Sequence, residues 1–366
     1  MKKLKVIVSG GGTGGHIFPA IAIAKSLERK VDDIELLFVG AKDRMEMQKV
    51  PESGYKIEGL WISGFQRSFS SRNLLFPFKL ISSLIKSKKI IRKFQPDLVI
   101  GTGGFASGPL LYVASRKGIP SVIQEQNSYP GITNKLLAKS VQKICVAYDN
   151  MDRFFPKEKL IFTGNPIRKE ILNFSDKREK GKIFFELHNG RITVLVVGGS
   201  LGAKTINESV NNNLEEFKKN KLNLIWQTGV SYENQAEESV RSINESGIKS
   251  YKFIKEMDLA YAAADIIVSR AGAIAISELC YVGKPVILVP SPNVAEDHQT
   301  QNAQSLVNKN SALMVKDVES RRKLVEEIKS LSENKGLQEE LSRNIKKLAV
   351  KDAADRIADL SLELVK

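Results

Sequence analysis

Short runs of β-branched and aliphatic residues recur along the whole chain, each followed by a stretch of helical periodicity, and this alternation constrains the fold more than any other feature. In the first half the runs are Val6–Val8, Leu36–Val39, Leu98–Ile100, Ser121–Ile123 and Ile144–Ala147; in the second they are Val194–Val197, Leu224–Gln227, Tyr251–Phe253, Ile266–Ser269 and Val286–Val289. Strands alternating with helices imply parallel sheets covered by helices on both faces. Each half opens with a strand running into a glycine-rich turn, VIVSGGGTGGH and VLVVGGSLGA, so the pattern predicts an α/β chain of two doubly wound domains in tandem. Its 366 residues suffice for two domains of ordinary size. Glycine and proline punctuate the pattern at Thr163-Gly164-Asn165-Pro166, which predicts domains over 1–164 and 165–344 joined by a flexible junction. The charged, helical segment from about 345 to 366 can return to pack on the first domain. Because ligands of open α/β sheets bind beyond the carboxyl ends of the strands, two such domains are expected to face a central cleft.

Composition excludes several classes. With 42% hydrophobic and 27% charged residues the chain is neither disordered nor fibrous. Two distant cysteines, Cys145 and Cys280, make neither a disulfide framework nor a cysteine-rich zinc site, so a reducing setting is expected. No run approaches the ~18 apolar residues of a membrane span. Lys2 and Lys3 precede an apolar patch as in a signal peptide, but Lys5 interrupts that patch and Ser9-Gly10-Gly11-Gly12 ends it, which reads as a buried strand entering a turn. The chain is therefore expected to stay on the side of the membrane where it is made. The net charge of +15 is unevenly placed: up to Asn165 there are 26 Lys and Arg against 13 Asp and Glu, and the remainder is nearly balanced. Such asymmetry points to an acidic partner of the N-terminal half, a membrane surface or a nucleic acid, though basicity can also serve solubility alone.

The glycine turns are the places for chemistry. Residues 10–16, GGGTGGH, contain GxGxxG between a strand and a helix, but the second strand ends Phe38-Val39-Gly40 and the nearest carboxylate, Asp43, lies beyond it, so the acceptor for a dinucleotide ribose is missing. His16, in the first turn of a helix, faces the positive end of the dipole, which favours the neutral imidazole that a general base requires; a structural histidine is the competing reading. The second turn, Gly198 to Ala203, offers backbone N–H groups and the Ser200 hydroxyl at a helix start, suited to a diphosphate. Residues 269–278, SRAGAIAISE, again lead from strand to helix and place Glu278 one turn behind the loop, where a carboxylate can accept both hydroxyls of a ribose. A surface helix carboxylate is the alternative. No Walker A lysine and no Asp-x-Asp pair occurs, so phosphate charge must be met by helix ends and side chains, without a bound divalent cation.

Between Gly59 and Pro96 stand Arg67, Arg72, Lys79, Lys86, Lys88, Lys89, Arg92 and Lys93 with no acidic residue, interleaved with Leu74, Leu75, Phe76, Phe78, Leu80, Ile81, Leu84 and Ile85. Cations flanking an apolar stripe suit an anionic lipid surface. An ordinary core helix explains the stripe but not the missing acids. Nucleic acid is disfavoured because no helix-turn-helix, zinc or aromatic-strand signature accompanies the patch.

Taken in order, GGGTGGH at 10–16, GTGGFASGP at 101–109, QEQN at 124–127, GITN at 131–134, GNPIR at 164–168, GGSLGA at 198–203, SRAGAIAISE at 269–278 and EDHQTQNA at 296–303 resemble the MurG family over almost the whole chain. The resemblance implies the GT-B fold, two Rossmann-like domains around a cleft, and an inverting transfer of N-acetylglucosamine from UDP-N-acetylglucosamine to the 4-hydroxyl of a polyprenyl-diphosphate-linked muramoyl-pentapeptide in peptidoglycan synthesis. It implies no cofactor and no metal, a C-terminal donor domain and an N-terminal acceptor domain, and a peripheral protein on the cytoplasmic face of the inner membrane, held through segment 67–93. Carried over by position, His16 resembles the base, and Thr13, Gly14 and Gly15 the floor under the pyrophosphates. Asn127 resembles a sugar contact, while Gly104, Phe105, Glu125 and Asn134 fall on the acceptor side. Arg168 and Ser200 match donor positions, Ile254 the wall around the uracil, Ala273, Ile274, Ala275, Ile276 and Ser277 the phosphate loop, Glu278 the ribose clamp and Gln299 a sugar contact. Two positions depart from the pattern: Phe105 stands where many members carry tyrosine, and Gln124 where histidine is common.

Other readings remain open from sequence. One is a different GT-B lipid glycosyltransferase, one a nucleotide-dependent oxidoreductase, and one a noncatalytic basic adaptor for RNA or membrane.

Overall fold

The structure, a computed structural model, describes residues 3–64, 74–199, 201–294 and 297–365. The chain forms two compact units, Met1–Ile167 with Asp352–Lys366, and Arg168–Lys351.

The first unit is built on a parallel sheet of β1 (Leu4–Ser9), β2 (Ile34–Ala41), β3 (Lys56–Leu60), β4 (Leu98–Gly101), β5 (Ser121–Glu125), β6 (Lys143–Val146) and β7 (Leu160–Phe162), in the order β3-β2-β1-β4-β5-β6-β7. Helices cover both faces, which is why its central strands are continuous apolar runs: Val6, Ile7 and Val8 are all fully buried. Ile7, Val99, Ile123 and Ile144 pack into the cluster on one face, and Val6, Val8, Ile100, Val122 and Cys145 into that on the other. The strand order reverses between β1 and β4, so the turns that follow these two strands meet at the topological switch point.

The second unit repeats the plan with β8 (Thr193–Val197), β9 (Asn223–Gln227), β10 (Ile248–Tyr251), β11 (Ile266–Ser269), β12 (Val286–Leu288) and β13 (Leu313–Met314), in the order β10-β9-β8-β11-β12-β13. Its switch point lies between β8 and β11, beside the second glycine turn and the SRAG turn. The strand expected over Tyr251–Phe253 instead occupies Ile248–Tyr251. Pairing with β9 sets this register, and Phe253, half exposed, lies past its end. The strands β3, β7 and β13 add to this pattern; each is short and at least partly exposed.

The unit boundary falls after Ile167 rather than at 164 for a visible reason. Thr163 to Pro166 are buried, the amides of Thr163 and Gly164 donate to Val146 O at 2.9 and 3.2 Å, and Asn165 is bonded on both sides of its carboxamide. The junction read as flexible is fastened to the first unit. At the other end, the helix Ala353–Leu362 packs Ile357 and Ala358, both fully buried, against the helix Gly14–Lys30. Arg29–Asp355 and Lys30–Asp359 pair at 2.6 and 2.8 Å along its edge. Residues 345–351 remain with the second unit. Cys145 and Cys280 are free thiols, and burial pushes each up to about 12, so neither is a ready nucleophile.

Candidate functional site

In the first unit the turns after β1 and β4 are stitched together. Thr102 donates its amide to Ser9 O at 2.8 Å and its hydroxyl to His16 O at 2.7 Å, and the Ser107 hydroxyl reaches Ser9 O and Gly103 O. Gly103, at φ +98°, closes on the imidazole: a Cβ there would lie 2.8 Å from His16 Nδ1. His16 is half-buried in the first turn of Gly14–Lys30, with Thr13 and Gly15 exposed beside it and Gly14 half-buried. Its Nδ1 lies 2.9 Å from Gln126 Oε1.

Glu46 supplies a feature that no motif announces. Its carboxylate, fully buried, accepts Ala41 N at the end of β2 and Gly12 N in the glycine turn, both at 2.9 Å. The acidic residue missing from the end of β2 is thus present in space, turned on the protein's own backbone. That occupies the turn's Gly12 N–H, which a dinucleotide site would leave for its ligand.

On the acceptor-side positions, Glu125 is almost wholly buried. It accepts Asn127 N and Asn127 Nδ2 on one oxygen and Gly131 N and Asn134 Nδ2 on the other, so it acts as a strut for the loop that carries Asn127. Asn134 is buried with its Oδ1 unpartnered. Phe105 is exposed and lays its ring over Gly64 beside Gly104.

In the second unit, Glu278 sits in the helix Ala273–Val282 at 3% exposure. Arg168 grips it with two bonds, Nε to Oε1 at 2.6 Å and Nη2 to Oε2 at 2.7 Å. Burial opposes the guanidinium charge, but the hydrogen bonds and field of Glu278 outweigh it and hold Arg168 firmly protonated. The buried Tyr261 hydroxyl faces Glu278 Oε2 at 3.5 Å, and burial, reinforced by that carboxylate's charge, raises the phenol well above its ordinary range, keeping it a donor. Ala273 is buried, Ile274 and Ala275 are half-buried, Ile276 is buried, and the Ser277 hydroxyl bonds back to Ala273 O at 3.0 Å.

Around the second glycine turn, Gln227 accepts Ile254 N at 2.9 Å and donates to Gly199 O at 3.0 Å, tying that turn to the buried Ile254. Gly202, at φ +79°, abuts Thr228 O so closely that a Cβ would stand 2.0 Å from it. Arg270 of the SRAG turn bonds Val289 O, Pro290 O, Asp317 and Thr205 Oγ1, locking three turns together. Gln299 accepts Ser291 N at 2.9 Å. Ser200 and Glu296 lie outside the described residues, as do Arg67 and Arg72. Among the described residues no group of three or more His, Cys, Asp or Glu could hold a metal ion.

The structure therefore gathers His16, Thr13, Gly14, Gly15, Gly104 and the 124–134 loop within one unit, and Arg168, Ile254, residues 273–278 and Gln299 within the other. Sequence reasoning missed Glu46, Gln126, Gln227, Tyr261 and Arg270. Gln126 and Arg270 stand inside motifs already singled out, QEQN and SRAG, where attention to every polar member would have found them.

Residues 6–146 match the N-terminal domain of glycosyltransferase family 28 and residues 193–357 its C-terminal domain, together most of the chain. The chain belongs to glycosyltransferase family 28. Among its family 28 relatives, a protein of Cytophaga hutchinsonii is 52% identical over the full length of this chain and 98% of its own. It is named UDP-N-acetylglucosamine--N-acetylmuramyl-(pentapeptide) pyrophosphoryl-undecaprenol N-acetylglucosamine transferase. A protein of Bacteroides fragilis with the same name is 49% identical over 99% of this chain and 96% of its own. Among solved structures, MurG of Acinetobacter baumannii superposes at a TM-score of 0.80, with 27% identity over 99% of this chain and 100% of that one. A UDP-GlcNAc 2-epimerase of Neisseria meningitidis, at 15% identity over 99% of this chain and 100% of its own and a TM-score of 0.67, shares the fold alone. The family 28 domains and the two parallel sheets agree with the GT-B class expected from sequence.

Proposed function

We propose that this protein transfers N-acetylglucosamine from UDP-N-acetylglucosamine to the 4-hydroxyl of a polyprenyl-diphosphate-linked muramoyl-pentapeptide, with inversion at the sugar. The observation that carries this reading is full-length identity near 52% to relatives named for that reaction. In the transfer, the acceptor oxygen bonds to the anomeric carbon as the bond from that carbon to the UDP oxygen breaks. The hydroxyl proton passes to the unprotonated nitrogen of His16, and UDP leaves with its added negative charge. Proton removal by a positioned histidine contributes about 10²–10⁴ in rate, and fixed donors to the departing diphosphate a comparable factor.

On this reading the second unit takes the donor. Glu278 accepts the ribose hydroxyls once Arg168 leaves its two bonds to that carboxylate and turns to the diphosphate, Ile254 borders the uracil, the helix start at Ala273 to Ser277 faces the diphosphate, Ser200 serves the same phosphates by its place in the motif, and Gln299 contacts the sugar. The first unit takes the acceptor along Thr13, Gly14, Gly15, Gly104 and Phe105, Asn127 holds the transferred N-acetylglucosamine, and Asn134 and Glu125 hold the loop that carries it. Helix ends and side chains meet the diphosphate charge, and no metal or cofactor enters the scheme.

The same reading makes the protein a peripheral one on an anionic membrane surface, where a lipid-linked acceptor resides. Supporting it, the helix Phe76–Phe94 and its approach expose Leu74, Leu75, Phe78, Ile81 and Ile85 as one stripe, while the opposite side packs on the core through Ser83, Ser87, Ile90 and Ile91, so the helix is apolar on two faces and only one of them is covered. Lys88, Lys89, Arg92 and Lys93 are exposed on the same helix. Among the described residues no helix is long and apolar enough to cross a membrane.

The test is UDP release from UDP-N-acetylglucosamine with and without a short-chain lipid-linked muramoyl-pentapeptide, with mass analysis of the product. Acceptor-dependent release and a disaccharide product are expected. UDP release on a different glycolipid acceptor but not this one would overturn the assignment. For the membrane arm, Phe78→Asp with Ile81→Asp is expected to abolish co-sedimentation with phosphatidylglycerol vesicles, and undiminished binding would refute it.

A further inference from the structure

We propose that Gln126 is the positioning residue that fixes which nitrogen of His16 carries the proton, through a chain of three side-chain amides ending at Asn165. The inference rests on His16 being the base of the proposed transfer, but it concerns the resting protein, where the proton's position can be measured without turnover.

The direction of the chain is forced at both ends. Gln126 Nε2 lies 2.7 Å from Thr102 O and 3.2 Å from Gln124 O, and a backbone carbonyl only accepts, so the NH₂ group of Gln126 must point there. Its Oε1 is then the atom 2.9 Å from His16 Nδ1. A carboxamide oxygen also only accepts, so Nδ1 carries a hydrogen and donates it. In a neutral imidazole the other nitrogen, Nε2, is left with its lone pair free.

At the far end Asn165 Nδ2 lies 3.0 Å from Gln126 O, again a pure acceptor, so Asn165 Oδ1 faces Gln124 Nε2 at 2.7 Å. Gln124 Oε1 therefore turns to Gln126 Nε2, to which it is bonded. Reversing any one amide would set donor against donor or acceptor against acceptor. Gln124, Gln126 and Asn165 are 0, 1 and 2% exposed, so water cannot relieve such a clash. The chain thus transmits a fixed polarity from the Gly164-Asn165-Pro166 segment to the imidazole.

This arrangement does for His16 what a buried carboxylate does for the histidine of a Ser-His-Asp triad, holding ring orientation and tautomer. It differs in charge. In the triad the partner is a carboxylate; here it is a neutral amide, whose oxygen orients the ring through the Nδ1–H bond.

The test is long-range proton–nitrogen correlation NMR on full-length protein labelled with ¹⁵N-histidine at about pH 8. The three histidines are His16, His188 and His298, and His16→Ala identifies the resonances. The expected result is a hydrogen on Nδ1 and a bare Nε2 at His16. In Gln126→Met, which keeps the side-chain length but removes the acceptor, the Nε2–H form appears and kcat falls about 10-fold with KM for UDP-N-acetylglucosamine unchanged. Gln124→Met, one link further out, is expected to give a smaller mixture and a loss of about threefold.

A wild-type His16 protonated on Nε2, or a folded Gln126→Met protein with its tautomer unaltered, would overturn the proposal. The wild-type spectrum decides even where a variant fails to fold. Turnover that survives His16→Ala would instead remove the base from the proposed function while leaving the tautomer assignment standing.

Discussion

Glu46 offers a sharp test of how the first unit is held together. Its carboxylate is fully buried and accepts two backbone N–H groups, Gly12 N and Ala41 N, both at 2.9 Å. Hydrogen bonds to a charged group contribute about 1.5–3 kcal/mol each. Glu46→Gln keeps the shape, but its NH₂ must face one of the two donors, so one bond is lost and one buried N–H is orphaned. The expected cost is about 2–3 kcal/mol, a fall of about 4–12 °C in the transition of a domain this size. Glu46→Ala loses both bonds and the packing, at about 4–5 kcal/mol. A Cβ on Gly11 would stand 2.2 Å from Glu46 Oε1, so Gly11→Ala expels the same carboxylate. The two alanine substitutions are therefore expected to be strongly non-additive in a double-mutant cycle. Differential scanning calorimetry of the five proteins, wild type, Glu46→Gln, Glu46→Ala, Gly11→Ala and the double alanine variant, reads all of this. A Glu46→Gln protein within 0.5 kcal/mol of wild type, or full additivity with Gly11→Ala, would refute the bracing argument.

Two further predictions concern charge. Glu278→Gln is expected to weaken UDP binding about 10-fold by titration calorimetry and to erase the preference for UDP over 2′-deoxy-UDP; unchanged discrimination would remove the ribose clamp. The Asp355 carboxyl is held below its ordinary value, first by the Ser26 hydroxyl and then, against a burial penalty, by Arg29. A carboxyl depressed in the folded state contributes stability above its unfolded pKa of about 3.9 and loses it as pH falls through the folded value. The hydrogen-exchange protection factor of the helix Ala353–Leu362, the observed rate corrected for the intrinsic rate at each pH, is accordingly expected to stay flat from about pH 8 to 5 and to fall below about pH 4, with Asp355→Asn already less protected at neutral pH.

The parallel sheets were legible because burial on both faces writes itself as unbroken apolar runs, as at Val6–Val8 and Ile266–Ser269. The edge strands were not: Lys56–Leu60 and Leu160–Phe162 are partly exposed and too short for a period to show. The glycine turns and Glu278 announced themselves through motif and position. What escaped were the contacts that give these groups their setting, because nothing local encodes them. Glu46 meets Gly12 across 34 residues, and Gln126 meets His16, like Arg168 and Glu278, across 110. Glu125 stands in a motif that sequence could single out, but its bonds to Asn127 N, Gly131 N and Asn134 Nδ2 within its own loop show only in the structure.

The central claim is that His16 takes a proton during sugar transfer, and a single comparison tests it most directly. Wild type and His16→Ala are compared for acceptor-dependent UDP release at saturating substrates, with UDP affinity measured on both. The account predicts a loss of about 10²–10⁴ in the variant with UDP binding unchanged. Release within about threefold of wild type would contradict it.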